Sequence, residues 1–346
     1  MSAFDVIDGQ ALADWLALAC AAAGGASIGI VDADGRLLAG RGAEGPDRRA
    51  EGIRLDGREV GTLVAAEPVS AELVAVLARS VELVLNGARD QAERARVGNE
   101  LAIGRRIQRS LLPRSFPEVD GWTFAAHYEP AREIGGDLYD VFRLRGDAGR
   151  IGILIADVTG KGIPAALLMA DVRALLHAAA DNADGPADAL GRVNRILVDE
   201  RATSLFVTAA LIAIDVETGA ARYASAGHEA PLLVRADGRI ERVDAAGPIL
   251  GAFGDASFAE ERTVIAPGDA LLFYTDGLTE ARDPGRRFYG EEPVLATLGA
   301  VSGRSAAAIR DALVADVLAF RGAAEPFDDL TLLVAERRPS GAPSTA

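Results

Sequence analysis

Between Pro113 and Arg338 the chain breaks into short apolar runs that keep meeting aspartate and glycine at their ends, and this pattern restricts the fold more than any other feature. Ile151 to Ala156 runs into Asp157, and Leu271 to Tyr274 runs into Thr275-Asp276-Gly277. Asp328-Asp329 opens Leu330 to Ala335, and Gly135-Gly136-Asp137 follows Ile134. Runs this short, rich in Ile, Leu and Val and bounded by turn formers, read as strands. Further strands are expected at Trp122 to Tyr128, Leu205 to Val216, Ala220 to Ala226, Leu232 to Val234 and Arg239 to Val243, with Glu217-Thr218-Gly219 closing a hairpin. Three helical blocks interrupt them. Pro164 to Ala180 has proline in its first turn, Pro186 to Glu200 follows, and Ser305 to Phe320 has a serine cap and Gly322 beyond its end.

One aspartate at a strand end is ordinarily a turn former. Four such positions, two of them beside glycine, on strands that share one core can instead bring their carboxylates to a single sheet edge. Carboxylates that close repel unless they are protonated or bridged by cations. Oxygen donors without His or Cys suit Mg²⁺ or Mn²⁺, whose shells are completed by water. Two such ions sharing a water lower its pKa and clamp a phosphoryl oxygen.

The N-terminal part reads differently. Ala11 to Ala22 is Ala- and Leu-rich and helical, and the strands Ser27 to Val31, Arg36 to Leu38, Gly52 to Leu55 and Glu59 to Val64 follow, with turns at Asp34-Gly35 and Gly57. A helix–hairpin–hairpin–helix order suits a small five- or six-stranded sensor module, and its pattern resembles a GAF or PAS-like domain over residues 1–88. No cluster of His, Cys or aromatic residues there points to haem, flavin or a cyclic nucleotide, so a dimerisation module without a ligand is the equal alternative. From Ala71 to Leu112 the chain lacks proline, and Leu73, Val76, Leu77, Val81, Val84, Leu85 and Ala88 recur at spacings of three and four. Residues 89–112 are read as a linker helix that pairs with a second copy to form a homodimer. Residues 113–338 form the next domain, and the Pro/Ser/Ala tail 339–346 is expected to be disordered.

Composition removes several function classes. Acidic residues number 51 against 36 basic ones, a net charge of −15, so a nucleic-acid partner is not expected. Cys20 is the only cysteine, which leaves no internal disulfide and no cysteine zinc site. Asp5 and Asp8 stand where a signal peptide carries basic residues. The apolar stretch Ala11 to Ala23, broken by Asp14, comes nearest to a membrane span and is shorter than the ~20 residues required. The expectation is a cytoplasmic protein with no membrane partner. Lys161 is followed by Gly162 where a P-loop needs Ser or Thr, and Leu138 stands where a diguanylate cyclase turn carries an acid. Of the three histidines, His228 alone lies in a distinctive setting, Ala226-Gly227-His228-Glu229.

Five segments in order, Pro130 to Asp140, Ala156-Asp-Val-Thr-Gly-Lys-Gly162, Ala226-Gly-His228, Tyr274-Thr-Asp-Gly-Leu278 and Asp328-Asp-Leu-Thr331, resemble the SpoIIE-type branch of the metal-dependent (PPM, type 2C) Ser/Thr protein phosphatases. Ile107 to Pro113 looks like the entry segment of that branch, and the resemblance covers about Arg105 to Glu336. It implies an α+β chain whose C-terminal domain is an αββα sandwich, two antiparallel sheets flanked by helices with metals at one end. It implies two divalent cations, Mn²⁺ or Mg²⁺, held by Asp137, Asp157, the carbonyl of Val158, Asp276 and Asp328. Asp329 would orient a bound water, Arg132 would grip the substrate phosphate, and a protein general acid at Lys161 is doubtful because some relatives carry histidine there. The implied reaction is in-line attack of metal-activated water on phosphoserine or phosphothreonine without a phospho-enzyme. The implied substrate is a phosphorylated STAS-type anti-sigma-factor antagonist in a partner-switching pathway. Two other readings stay open: a non-catalytic phosphoprotein-binding scaffold, and a hydrolase of a small phosphorylated metabolite.

Overall fold

A computed structural model describes residues 9–32, 34, 36–41, 48–55, 58–66, 69–132, 134–145, 149–160, 162–200 and 205–339. Lys161 and nearly all of the tail expected to be disordered lie outside them. The chain divides into two compact units, Met1–Glu100 and Leu101–Ala346.

The first unit runs α1 (Gly9–Ala22), β1 (Ile28–Val31), β2 (Leu37–Gly40), β3 (Arg49–Leu55), β4 (Arg58–Ala65) and the start of α2 (Ala71–Leu111). Its strands pair antiparallel in the order β2-β1-β4-β3. This is a helix–hairpin–hairpin–helix arrangement, with four strands among the described residues where five or six were expected. Leu12, Leu16, Ile28, Ile30, Ile53 and Leu63 form its core with Val74, Ala78, Val81 and Leu85 of α2. Those four α2 positions fall on one stripe of a 3.6-residue helix. Val76 and Val84, which spacing alone put on the same face, lie off that stripe and are exposed, as is Leu83.

The second unit continues with β5 (Trp122–Glu129), β6 (Leu138–Arg143), β7 (Arg150–Val158), α3 (Ile163–Ala180), α4 (Pro186–Glu200), β8 (Val207–Asp215) and β9 (Ala220–Ala226). Next come β10 (Leu232–Val234), β11 (Ile240–Arg242), β12 (Glu261–Val264), β13 (Ala270–Tyr274), α5 (Asp276–Thr279), α6 (Glu291–Ala300), α7 (Ala306–Arg321) and β14 (Leu330–Arg337). Two five-stranded sheets, ordered β11-β10-β13-β14-β5 and β12-β9-β8-β7-β6, are antiparallel throughout. Ile153, Ile155, Leu211 and Tyr223 of one sheet share a core with Leu271, Phe273 and Leu333 of the other, and α3 and α4 join it through Met169, Val172, Leu176 and Val193. A second core packs α6 and α7, through Leu298, Ile309, Leu313 and Val317, on Leu272, Leu332 and Val334. Successive strand residues face opposite ways, so one sheet serves both cores. The result is the four-layer αββα sandwich.

Sequence patterning passed over β6, β12 and α6. The β12 strand is an exposed edge, and α6 is apolar around most of its circumference, so neither shows clean amphipathic contrast. At 18 residues and a mean hydropathy of 1.4, α3 is long and apolar enough to cross a membrane by length and composition. This corrects the expectation that Ala11 to Ala23 comes nearest. One face of α3, Ala165, Met169, Val172 and Leu176, is buried inside the sandwich unit.

Candidate metal centre

The four aspartates arrive from both sheets. Asp137 immediately precedes β6 and Asp157 is near the end of β7, while Asp276 follows β13 and Asp328 stands just before β14. Thr275 and Thr331 stitch the two sheets together here, because both hydroxyls donate to Asp137 Oδ2, the first at 2.8 Å. The Thr275 amide also donates to the Thr331 carbonyl at 3.2 Å.

Two glycines make the approach physically possible. A Cβ on Gly136 would stand 2.6 Å from the Val158 carbonyl oxygen and 3.1 Å from Asp157 Oδ1. One on Gly135 would stand 2.1 Å from Asp329 Oδ2. A side chain at Gly136 would push the Asp137 loop off the end of β7, and one at Gly135 would push it off Asp329 and Tyr128 of the other sheet. The loop is then fixed by polar groups the strand pattern does not reveal. Asp329 accepts the Ala131 amide at 2.8 Å on Oδ1 and the Gly136 amide at 2.6 Å on Oδ2. Buried Gln108, in the last turns of α2, donates to the Gly135 carbonyl at 2.6 Å and accepts the Gly135 amide at 3.2 Å. Asp329 therefore holds the loop through both oxygens.

Electrostatics place the remaining carboxylates in one field. Burial drives the Asp137 carboxyl well above its ordinary range, and the charges of Asp157 and then Asp329 push it the same way. Asp276 is raised to about 7, first by burial and then by Asp157 and Asp328. Asp157 is the common neighbour of the two. Among the described residues no three His, Cys, Asp or Glu side chains close on one point by themselves. Hard divalent ions fit this donor set all the same, since they take carboxylate and carbonyl oxygens and complete their shells with water. The gap left by the missing Gly136 Cβ, facing both Val158 O and Asp157 Oδ1, is where such an oxygen pair is presented.

Other candidates fall around this centre. Arg132 is exposed at the rim, next to Ala131, whose amide Asp329 holds. His228 bonds Thr208 Oγ1 through Nδ1 at 2.8 Å, and burial lowers its pKa to about 4, so it is neutral at pH 7. Thr275, Thr331 and Gln108 were not singled out as functional, although each sits inside a quoted motif segment.

Residues 147–338 match the SpoIIE (Stage II sporulation protein E) family. The chain belongs to this family. It is 30% identical over 265 residues to Protein IcfG of Synechocystis sp., covering 69% of this chain and 41% of that protein. With the phosphoserine phosphatase RsbU of Bacillus subtilis it shares 29% identity over 187 residues, 54% of this chain and 55% of the relative. The chain thus spans about half the length of these curated relatives. Among solved structures, the RsbU and RsbW domains of Rv1364c from Mycobacterium tuberculosis superpose with a TM-score of 0.56 at 32% identity, over 65% of this chain and 64% of that one. The SiaA-PP2C domain of Pseudomonas aeruginosa shares the fold, with a TM-score of 0.61 at 23% identity, over 70% of this chain and 98% of that domain.

Proposed function

We propose that this SpoIIE-family chain is a metal-dependent protein serine/threonine phosphatase acting on a phosphorylated STAS-type anti-sigma-factor antagonist in the cytoplasm. The observation that supports this reading is that Asp137, Asp157, Asp276 and Asp328, far apart in sequence, stand at strand ends of the two sheets, with Asp157 in the electrostatic field of Asp137 and of Asp276, and Asp328 in that of Asp276. Mutually repelling buried carboxylates are costly unless cations offset them. In this reading Asp137, Asp157, the Val158 carbonyl, Asp276 and Asp328 hold two ions, Mn²⁺ or Mg²⁺. When bound, such ions lower the pKa of a coordinated water and neutralise charge on a phosphoryl group.

The chain's own residues do the positioning. Thr275 and Thr331 both donate to Asp137 Oδ2 and so fix its carboxylate. Asp329 and Gln108 hold the loop that carries it. Arg132 offers a planar pair of donors to the phosphate dianion at the rim. The serine or threonine side chain is presented from solvent. RsbU is named a phosphoserine phosphatase, and the Mycobacterium neighbour joins an RsbU domain to an RsbW domain, which supports a protein substrate of the partner-switching kind.

Residues 1–88 are proposed as a GAF/PAS-like sensor or dimerisation domain, 89–112 as the linker and 113–338 as the phosphatase domain. Exposed Ile103 and Ile107, one turn apart in the linker part of α2, would pair with a second copy. The test is incubation of the full chain with a phosphorylated STAS protein, with and without Mn²⁺, read by intact mass. Loss of phosphate only with Mn²⁺ is expected, whereas a phosphoprotein that binds and stays phosphorylated would identify a scaffold.

A further inference from the structure

Beside the carboxylate cluster lies a cleft of about 550 Å³ whose walls include Arg132, Arg282, Arg286, Asp283, Glu325 and Phe327. Three arginines on one cleft are unexpected in a chain of net charge −15. Among the described residues none of the three has a carboxylate partner. Asp283 is already committed, since Arg287 binds it through Nε at 2.8 Å and through its amide at 2.9 Å. Glu325 is exposed and is the other acid of the lining.

Arg282 is held without an ion pair. Its guanidinium lies 3.4 Å from the ring centre of Phe327 and 4.8 Å from that of Phe288. Its Nε is buried and has no hydrogen-bond partner among the described residues. A stacked arginine keeps its in-plane donors for an outside acceptor and loses little side-chain freedom on binding. Arg286 is held on a tight turn by its amide bond to the Asp283 carbonyl, at 2.8 Å, and has a φ of 65°. The cleft adjoins the centre by covalent connection. Phe327 directly precedes Asp328, and Arg132 follows the Ala131 amide that Asp329 holds.

The geometry points to a second substrate subsite: Arg282 and Arg286, on the far side of the cleft from the phosphate-binding Arg132, bind acidic residues flanking the phosphoserine of the protein substrate. This rests on the phosphoprotein reading above and names the substrate feature that reading leaves open. Carboxylates on an extended segment supply the charge the cleft lacks, whereas a small phosphorylated metabolite has no flanking chain to occupy it. Exposed pairs contribute little, so the effect concentrates on the half-buried, stacked Arg282 rather than on exposed Arg286.

The test compares two phosphoserine peptides of equal length, one with acidic flanks and one with neutral flanks, on the full chain with Mn²⁺. The kcat/KM ratio of acidic over neutral is expected to fall roughly tenfold in Arg282→Gln, mainly through KM, and severalfold in Arg286→Gly. Glycine accepts the backbone of position 286, so this second variant keeps the test open if Arg282→Gln does not fold. The wild-type preference should also shrink with added salt. An unchanged ratio in the folded variants overturns the subsite, as does an equal loss on both peptides. Fluorescence anisotropy of the unphosphorylated acidic peptide tests binding without turnover. Binding that these variants weaken supports the subsite even if the wild type releases no phosphate, in which case only the phosphatase reading fails.

Discussion

Among its described residues the first unit buries only apolar side chains, from Leu12 through Ile30 and Leu63 to Leu85, whereas the second encloses Asp137, Asp140, Asp269, Thr275, Asp329, Thr331 and Glu336. Most of those acids have compensating partners. Asp269 is paired with Arg235 at 2.9 Å and Asp140 with Arg173 and His177. Glu336 accepts from Thr123 and from the Ala306 amide. Asp137 has hydroxyl donors, but its charged neighbours are other carboxylates. Buried charge of this kind costs stability. The comparison places the buried, incompletely compensated charge in the second unit and an apolar core in the first.

The largest expected effect sharpens that contrast. If Asp276 holds an ion as proposed, Asp276→Asn should lower Mn²⁺-dependent phosphate release by on the order of a thousandfold or more. Retained turnover of an aryl phosphate in that variant would count against the two-ion assignment. Next comes Leu85→Ala in the first unit, which opens a cavity in its apolar core. A destabilisation of about 2–5 kcal/mol is expected by urea unfolding, with Mn²⁺ binding unchanged. Altered metal affinity in this variant would break the division between the units.

Thr275→Val should cost about 1–3 kcal/mol, since it strips one donor from buried Asp137. It should also weaken Mn²⁺ binding, measured by calorimetry, and unchanged affinity would make the threonine purely a fold element. The smallest effect is a pH trend. The Asp276 carboxyl, at about 7 in the folded chain against an ordinary 3.8, keeps a proton that the unfolded chain has released. The folded state therefore binds more protons across that window, and this group's contribution to stability falls as pH rises through it. His228, lowered to about 4, works in the opposite direction below pH 6.5. The difference between wild type and Asp276→Asn in EDTA isolates the first term, and a wild-type curve no steeper than the variant's would contradict it.

Much of the sandwich was readable because its strands are apolar runs closed by turn residues. The turn and strand pairing of β8 and β9, and the Ser305 and Gly322 caps of α7, follow from local chemistry. The acids at the strand ends were legible for the same reason. What patterning could not supply is which side chains hold the backbone between them. Gln108 and Asp329 act through hydrogen bonds to Gly135, Gly136 and Ala131, contacts across long sequence separations that no periodicity encodes. The register of α2 was misread at Val76 and Val84 because its apolar residues outnumber the positions that one small sheet can cover. The arginine cleft depends on the packing of two separate loops on Phe288 and Phe327, and composition gave no hint of it.

Asp157 neighbours both Asp137 and Asp276, so it is the residue on which the centre depends most. Isothermal titration of the full chain with Mn²⁺, wild type against Asp157→Asn, tests this directly. The account predicts two ions per wild-type chain and the loss of at least one in the variant, with the fold retained by circular dichroism. Equal stoichiometry and affinity in the two proteins would contradict it.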